Sequence, residues 1–366
     1  MTYLRFIILI GLVSLFGDMV YEGGRSVFGA YLATLGISAV FLGAIVGFGE
    51  FISYAFRLIF GKIADKTKNY WFFTFLGYAL IFSIPLIAFS PLPIIAFLFV
   101  LERLGKAIRT PARDALISFT KTGVGKGFGI HEAIDQVGAV FGPLLVFSAL
   151  HFGLGYRESF AILFIPAVAM IFTLYFAKAS HVLEESFEVE EKIGKNFWYY
   201  MFFSALSFSG IANFQLIAYH FEKNAIFADE LIAVLYAIAM LFSAIFALLA
   251  GISYDKLGLK NLFVVSFLAP ISLILAFSSN PVMGVILLGI ILGIQESSMR
   301  AGVAKFAEKS ERATAYGIFN LFTGLGYFFG AAVLGFLYTV SFDYMIAFSV
   351  ITEFLALIFL LRVLKV

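Results

Sequence analysis

The chain has no cysteine, which removes disulfides, haem attachment and thiolate metal sites from consideration. Charge is scarce as well. Asp, Glu, Lys and Arg make up 13% of the 366 residues, against about 25% in a typical soluble domain. A soluble enzyme of this length is excluded on that ground, and 62% hydrophobic residues exclude disorder. No sign of charge prevails: 25 basic against 23 acidic residues leave +2, so there is no basic field to hold nucleic acid. A small-residue cleavage pattern is missing after the first apolar segment, so a cleavable signal peptide is not expected.

What the chain has is length in its apolar runs. Mean hydropathy is +1.00. A hydrocarbon core about 30 Å thick is crossed by roughly 20 helical residues. Charged or Pro/Gly-rich breaks divide the sequence into twelve such stretches, near 6–33, 39–60, 70–90, 93–113, 126–152, 158–178, 196–220, 228–251, 261–279, 281–304, 313–339 and 342–364. They are apolar all round, without the ten-residue alternation of a β-barrel. The expected fold is therefore all-α, integral to the membrane, with twelve transmembrane helices. Short connections suit antiparallel neighbours.

Lys and Arg set the expected orientation. Eighteen of them fall on one side, including Lys62, Lys66, Lys121, Lys192, Lys256 and Lys309, while the other side has only Arg157 and Lys223. Both termini are expected in the cytoplasm of a multi-pass cytoplasmic-membrane protein. Trp71 and Trp198 sit at interfacial positions. The one long polar stretch, 179–195, contains Glu184-Glu185 and Glu190-Glu191-Lys192 and separates six spans from six. The expected organisation is thus an amino-terminal bundle 1–178, a cytoplasmic linker 179–195 and a carboxy-terminal bundle 196–366.

The halves repeat. Span two ends in Gly61-Lys-Ile-Ala-Asp65-Lys66 and span eight in Gly251-Ile-Ser-Tyr-Asp255-Lys256, an offset of 190. Gly129, Gly138 and Gly142 in span five recur as Gly317, Gly326 and Gly330 in span eleven, each 188 residues on. Arg109 recurs as Arg300, offset by 191. Three loci in the same order point to a duplicated six-span unit.

On these features the whole chain resembles the major facilitator superfamily of secondary transporters. The loop after span two matches that family's G-x-x-x-D-[RK]-x-G-[RK]-[RK] at Gly61, Asp65 and Lys66. Lys68 stands where the second glycine belongs, and Gly258 restores it in the second copy. Gly138-Ala-Val-Phe-Gly142-Pro143 resembles a span-five element associated with exporters and antiporters, although Leu144-Leu145 replaces the usual Gly-Gly. Arg103 and Gly105 match the basic element of span four only loosely. The resemblance implies two six-helix bundles related by a pseudo-two-fold axis, rocking about a central cavity. It also implies gating by Gly61, Asp65, Lys66, Arg109, Arg113, Gly251, Asp255 and Lys256. Asp65 would meet the start of span eleven near Ala313, where free N–H groups favour an anion. Gly138, Gly142 and Pro143 serve equally as close-packing positions or as a hinge.

Charges inside spans are costly, about 2.5–3.5 kcal/mol each at mid-depth on insertion scales, and are kept when paired or used. Asp18, Glu22 and Arg25 share one stripe of span one. Glu50 and Arg57 follow in span two, then Glu102, Arg103, Lys106, Arg109 and Arg113 in span four. Glu132 and Asp135 in span five suit a salt-bridge network with Arg109 and Arg113. The second half is poorer, with Gln215, His220, Gln295, Glu296, Arg300, Asn320 and Glu353. Coupling chemistry is therefore expected in the first half, at Asp18, Glu22, Arg25, Glu50, Arg103, Glu132 and Asp135, with Gln215 and Glu296 opposite. A carboxyl held away from bulk water at Asp18 or Glu22 suits proton exchange near neutral pH, whereas Arg25 favours its charged form. A static ion pair is the plainer alternative.

His131 and Asp135, one turn apart, offer a weaker alternative as ligands for a divalent metal ion. His220 has no visible partner and reads as interfacial. An enzyme is not expected: no second His follows His131-Glu132 at zincin spacing, and G-x-S-x-G is absent. The expected partners are a small solute, protons and the lipid bilayer, with no cofactor and no need of an oligomer. Export or antiport is favoured over uptake. Uniport and divalent-metal export are the rivals.

Overall fold

The computed structural model describes residues 2–118, 124–180, 195–278, 280–306 and 312–364. Within them the chain is helical, with no strand. Lipid offers backbone N–H and C=O groups no partner, so the apolar runs satisfy them internally as helices.

Twelve helical segments follow one another: Thr2–Thr34, Ala39–Thr67, Tyr70–Phe89, Leu92–Ser118, Val124–His151, Tyr156–Ala179, Asn196–Lys223, Asp229–Leu257, Gly258–Ala276, Pro281–Val303, Arg312–Val340 and Phe342–Leu364. They are called spans one to twelve, and their bounds fall within a few residues of those read from hydropathy. Eleven are apolar and long enough to cross a membrane by composition alone. Span four is the exception because Glu102, Arg103, Lys106 and Arg109 interrupt it. It forms an unbroken 27-residue helix all the same, and its charged groups explain how: Glu102, Arg103 and Arg109 are buried.

Several spans are irregular where the sequence gives little warning. Span seven breaks after Ser209 and restarts at Phe214, with the Asn213 side chain capping the Leu216 amide at 2.9 Å. Span ten contains a π-helical turn over Gln295–Met299, a feature often associated with functional positions. Asn69 and Asn280 cap the starts of spans three and ten.

The chain forms two compact units. One gathers Met1–Phe28, Phe56–Phe187 and Ala228–Ala237; the other gathers Gly29–Ala55, Glu188–Phe227 and Ile238–Val366. Within the first, span five packs backbone to backbone on span one: a Cβ at Gly138 would strike the Leu15 carbonyl, and one at Gly142 the Met19 carbonyl. Within the second, span eleven repeats this on span seven, with Gly326 against the Ala205 carbonyl and Gly330 against Ser209. Leu15 and Ala205, like Met19 and Ser209, are 190 residues apart. The internal repeat therefore extends from glycine spacing to the contacts those glycines make. The second unit also packs span two on span eleven, where Gly43 and Gly47 lie against the Ala331 and Phe328 backbones and Tyr54 stacks on Tyr327 at 5.8 Å.

The repeated loops share one backbone feature. Lys68 has φ +53° and Gly258 has φ +58°. Both occupy the position where the motif places its second glycine. The turn demands the left-handed conformation, which glycine adopts freely and lysine adopts at a cost. In the first copy the chain keeps the conformation without the residue that suits it.

Candidate functional site

The first unit brings the intramembrane charges of spans one, four and five together with tyrosines of spans three and eight. Tyr21 is the hub. Its buried hydroxyl accepts from Arg25 Nη1 and from Arg103 Nη1, each at 2.6 Å. The Arg103 guanidinium also lies 3.9 Å from the Tyr21 ring centre, and Lys106 Nζ 4.3 Å from it. One tyrosine thus receives three cations, two of them through its oxygen and all three against its ring, as the negative face of an aromatic allows.

Glu102 neutralises part of this charge. It forms an ion pair with Arg103 Nη2 at 2.7 Å and accepts from Arg109 Nη2 at 3.2 Å, with all three side chains buried. Charge-assisted bonds of this kind are what a buried cation requires. Gly77 and Gly105 make room: a Cβ at Gly77 would meet the Arg109 backbone nitrogen 2.6 Å away, and one at Gly105 the Gly77 carbonyl at 2.8 Å.

Glu22 is buried too. Tyr236 of span eight donates to its Oε2 at 2.5 Å, and Arg25 Nη1 stands 4.0 Å from the same oxygen. Asp18, one turn away, differs. It is only half-buried and has no hydrogen-bond partner among the described residues, and it lies in the fields of Asp135, Lys106, Glu22 and Arg109. A carboxyl at such a position can exchange its proton or its counter-charge without dismantling a network.

A second group lies towards the start of span one. Ser14 Oγ is 2.7 Å from Tyr78 Oη and 2.8 Å from His131 Nε2, and it accepts from Arg113 Nη1 at 3.2 Å. Arg113 pairs with Asp114 at 2.9 Å. Arg109 pairs with Glu102, Arg113 pairs with Asp114, and Glu132 is exposed with Gln136 donating to it at 3.3 Å. Asp135 remains in the field of Asp18 and Arg113. His131 is tied to Ser14, and among the described residues no three His, Asp or Glu side chains group as a metal site.

The remaining candidates lie elsewhere. Glu50 is buried in span two. Gln215, at the restart of span seven, is fully buried with neither amide atom hydrogen-bonded among the described residues, and Gly29 lies against its backbone. Glu296 sits in the π turn, half-buried, accepting from Arg300 at 3.4 Å. In the loop after span two, Asp65 accepts from Tyr70 Oη at 3.1 Å, Lys66 is exposed, and Gly61 faces Pro111. In its copy Gly251 faces Ser297 and Lys256 is exposed, whereas the Asp255 side chain lies outside the described residues, as does most of the linker. Pro143 is buried beside Gly142. His220 corrects its reading: Tyr338 Oη and Asn224 Nδ2 each lie 3.0 Å from its Nδ1.

Ser14, Tyr21, Tyr78 and Tyr236 join the candidate site and were passed over by sequence reasoning. A signal existed for two of them, since Ser14, Asp18, Tyr21 and Arg25 continue a single helical stripe. Nothing marked Tyr78 or Tyr236 among 17 tyrosines.

A duplicated set of helices long and apolar enough to cross a membrane, with charged groups collected inside one unit, is the architecture of a multi-pass membrane protein. The Major Facilitator Superfamily profile matches residues 7–281 and 197–366. The chain belongs to this family. It is 35% identical to an uncharacterized protein of Mycobacterium tuberculosis, over 98% of this chain and 93% of that one. It is 30% identical to an uncharacterized MFS-type transporter of Methanocaldococcus jannaschii, over 91% and 88% respectively. Among solved structures it resembles a mutant of the nucleoside transporter NupG, with TM-score 0.78 and 16% identity over 97% of this chain and 99% of that one. A POT family transporter in complex with 5-aminolevulinic acid aligns with TM-score 0.76 and 14% identity, over 99% and 96%.

Proposed function

We propose that this secondary transporter moves its small solute in exchange with protons, and that Asp18, with Glu22 fixed one turn away, carries the coupling. The observation that carries the reading is the contrast within one helical stripe. Glu22 is locked by the Tyr236 hydroxyl, while Asp18 is half-buried beside Lys106 with no hydrogen bond among the described residues. A carboxyl that is neither solvated freely nor fixed in an ion pair is suited to alternate between protonated and charged forms. Arg25, Lys106 and Tyr21 supply cationic and hydroxyl groups for an acidic or hydroxylated solute. The Gly138–Gly142–Pro143 element supports export or antiport as the direction.

The moving bodies in this reading are the sequence repeats, 1–178 and 196–366, in a cytoplasmic membrane with both termini inside, as the Lys/Arg distribution favours. Alternating access by rocking of repeats is the expected mode, with the Asp65 and Asp255 loops as the gates and a monomer as the working form. The test is a solute screen in proteoliposomes containing a pH-sensitive dye, with and without an imposed pH gradient. Solute-dependent proton movement supports the reading, and gradient-independent solute flux by the wild-type protein contradicts it.

A further inference from the structure

The second unit contains a buried acid of span twelve, Glu353, that the coupling scheme leaves unused. Glu353 lies midway along span twelve and is 1% exposed. Neither carboxylate oxygen receives a hydrogen bond among the described residues. Ser266 of span nine, itself buried, stands beside this carboxyl without an aligned partner of its own. The two carboxylate oxygens and the Ser266 hydroxyl, which is in reach to donate to them, thus meet without an aligned hydrogen bond among the described residues.

The carboxyl also reaches the break in span seven. A Cβ at Gly210 would lie 2.9 Å from Glu353 Oε1 and 2.7 Å from Thr352 Oγ1, so only glycine leaves this space open. Ser349 Oγ donates to the Gly210 carbonyl at 2.6 Å and fixes span twelve to the break. The break is the C-terminal end of the helix Lys195–Ser209, where final carbonyls lack amide partners and partial negative charge collects.

Among the described residues no cation pairs with this carboxyl. The basic side chains of span seven near its end, His220 and Lys223, bond or stack with Tyr338 and Tyr219 instead, and Glu222 between them adds no positive charge. Span nine has Lys260 at its exposed start, and span eleven carries no Asp, Glu, Lys, Arg or His from Ala315 to Val340. A buried carboxylate without a partner is strongly unfavourable, so it is held with a bound cation. Its ligands are all oxygens, which suits a hard cation and not a thiol- or imidazole-seeking metal. One carboxylate matches one positive charge. We propose that Glu353, Thr352, Ser266 and the span-seven break form a site for a small monovalent cation, a proton or a sodium ion, separate from the charges of the first unit.

The test uses the full-length protein in detergent and needs no transported solute. Thermal unfolding is followed in sodium chloride against choline chloride at equal ionic strength, and from mildly acidic to mildly alkaline pH. With sodium as the occupant, the wild-type Tm rises by several degrees over choline while Glu353→Gln does not respond. With a proton as the occupant, sodium is inert and the wild-type Tm falls relative to Glu353→Gln as pH rises. Ser266→Ala, a smaller change that leaves the carboxyl in place, shifts the midpoint of whichever response is seen. If wild type, Glu353→Gln and Ser266→Ala run parallel through both series, Glu353 is a fixed structural group and the proposal is overturned.

Discussion

The Tyr236 hydroxyl donates to Glu22 Oε2 at 2.5 Å, joining span eight to the charged stripe of span one across 214 residues of sequence. Tyr236 belongs to the short segment Ala228–Ala237 that packs with the amino-terminal helices in the first unit. A residue of the second repeat thus holds an acid of the first. Tyr236→Phe removes only the donor and leaves a buried carboxylate short of one bond. The expected loss is about 1–3 kcal/mol, measured as a lowered Tm. Transport falls with it, because Glu22 is no longer held apart from Arg25.

Glu102 offers the clearest case of a charge that folding depends on. It serves both Arg103 and Arg109, and all three are buried. Glu102→Gln keeps the shape but leaves two guanidiniums without their anion. A loss of about 3–5 kcal/mol follows from an uncompensated buried charge, read as a reduced yield of monodisperse protein on size-exclusion chromatography.

The helix-packing glycines should fail in matched pairs. A side chain at Gly138 collides with the Leu15 backbone and one at Gly326 with the Ala205 backbone. Backbone cannot yield as a flexible side chain can. Gly138→Val and Gly326→Val are each expected to cost about 1–3 kcal/mol or more, whereas Gly251→Ala, which meets only Ser297 Oγ at 3.2 Å, stays near wild type. Thermal unfolding of the three variants side by side checks this.

Lys68→Gly is expected to stabilise. The backbone at this position is left-handed, and a lysine there carries a strain of about 1 kcal/mol that glycine relieves, less its greater entropy when unfolded. The reciprocal change, Gly258→Lys, should destabilise by a similar amount. A Tm that moves in opposite directions for the two variants confirms the shared turn.

The twelve spans were legible because hydrophobic length is a coarse quantity that no tertiary detail overrides. Span four shows the limit of that rule: its charges defeat a hydropathy window, and only their mutual pairing inside the unit explains why the helix persists. The repeat was legible from glycine offsets, since close backbone contact requires glycine at fixed points. The site was half legible. Asp18, Glu22, Arg25 and Arg103 stood out as charges in apolar runs, yet Tyr21 and Tyr236, which bond three of them, are not distinguished in the sequence from ordinary core residues. The span-seven break was hidden for a related reason. Gly210-Ile-Ala-Asn213 holds a single glycine and a capping residue inside an otherwise apolar stretch, and the contacts that stabilise it come from span twelve.

The coupling role of Asp18 is tested most directly by proton movement in proteoliposomes, comparing wild type with Asp18→Asn for whichever solute of the screen is carried. The account predicts that Asp18→Asn still exchanges labelled solute down its gradient but no longer moves protons with it, nor accumulates solute when a pH gradient is imposed. Full gradient-driven transport by Asp18→Asn, and by Glu22→Gln beside it, would contradict the account.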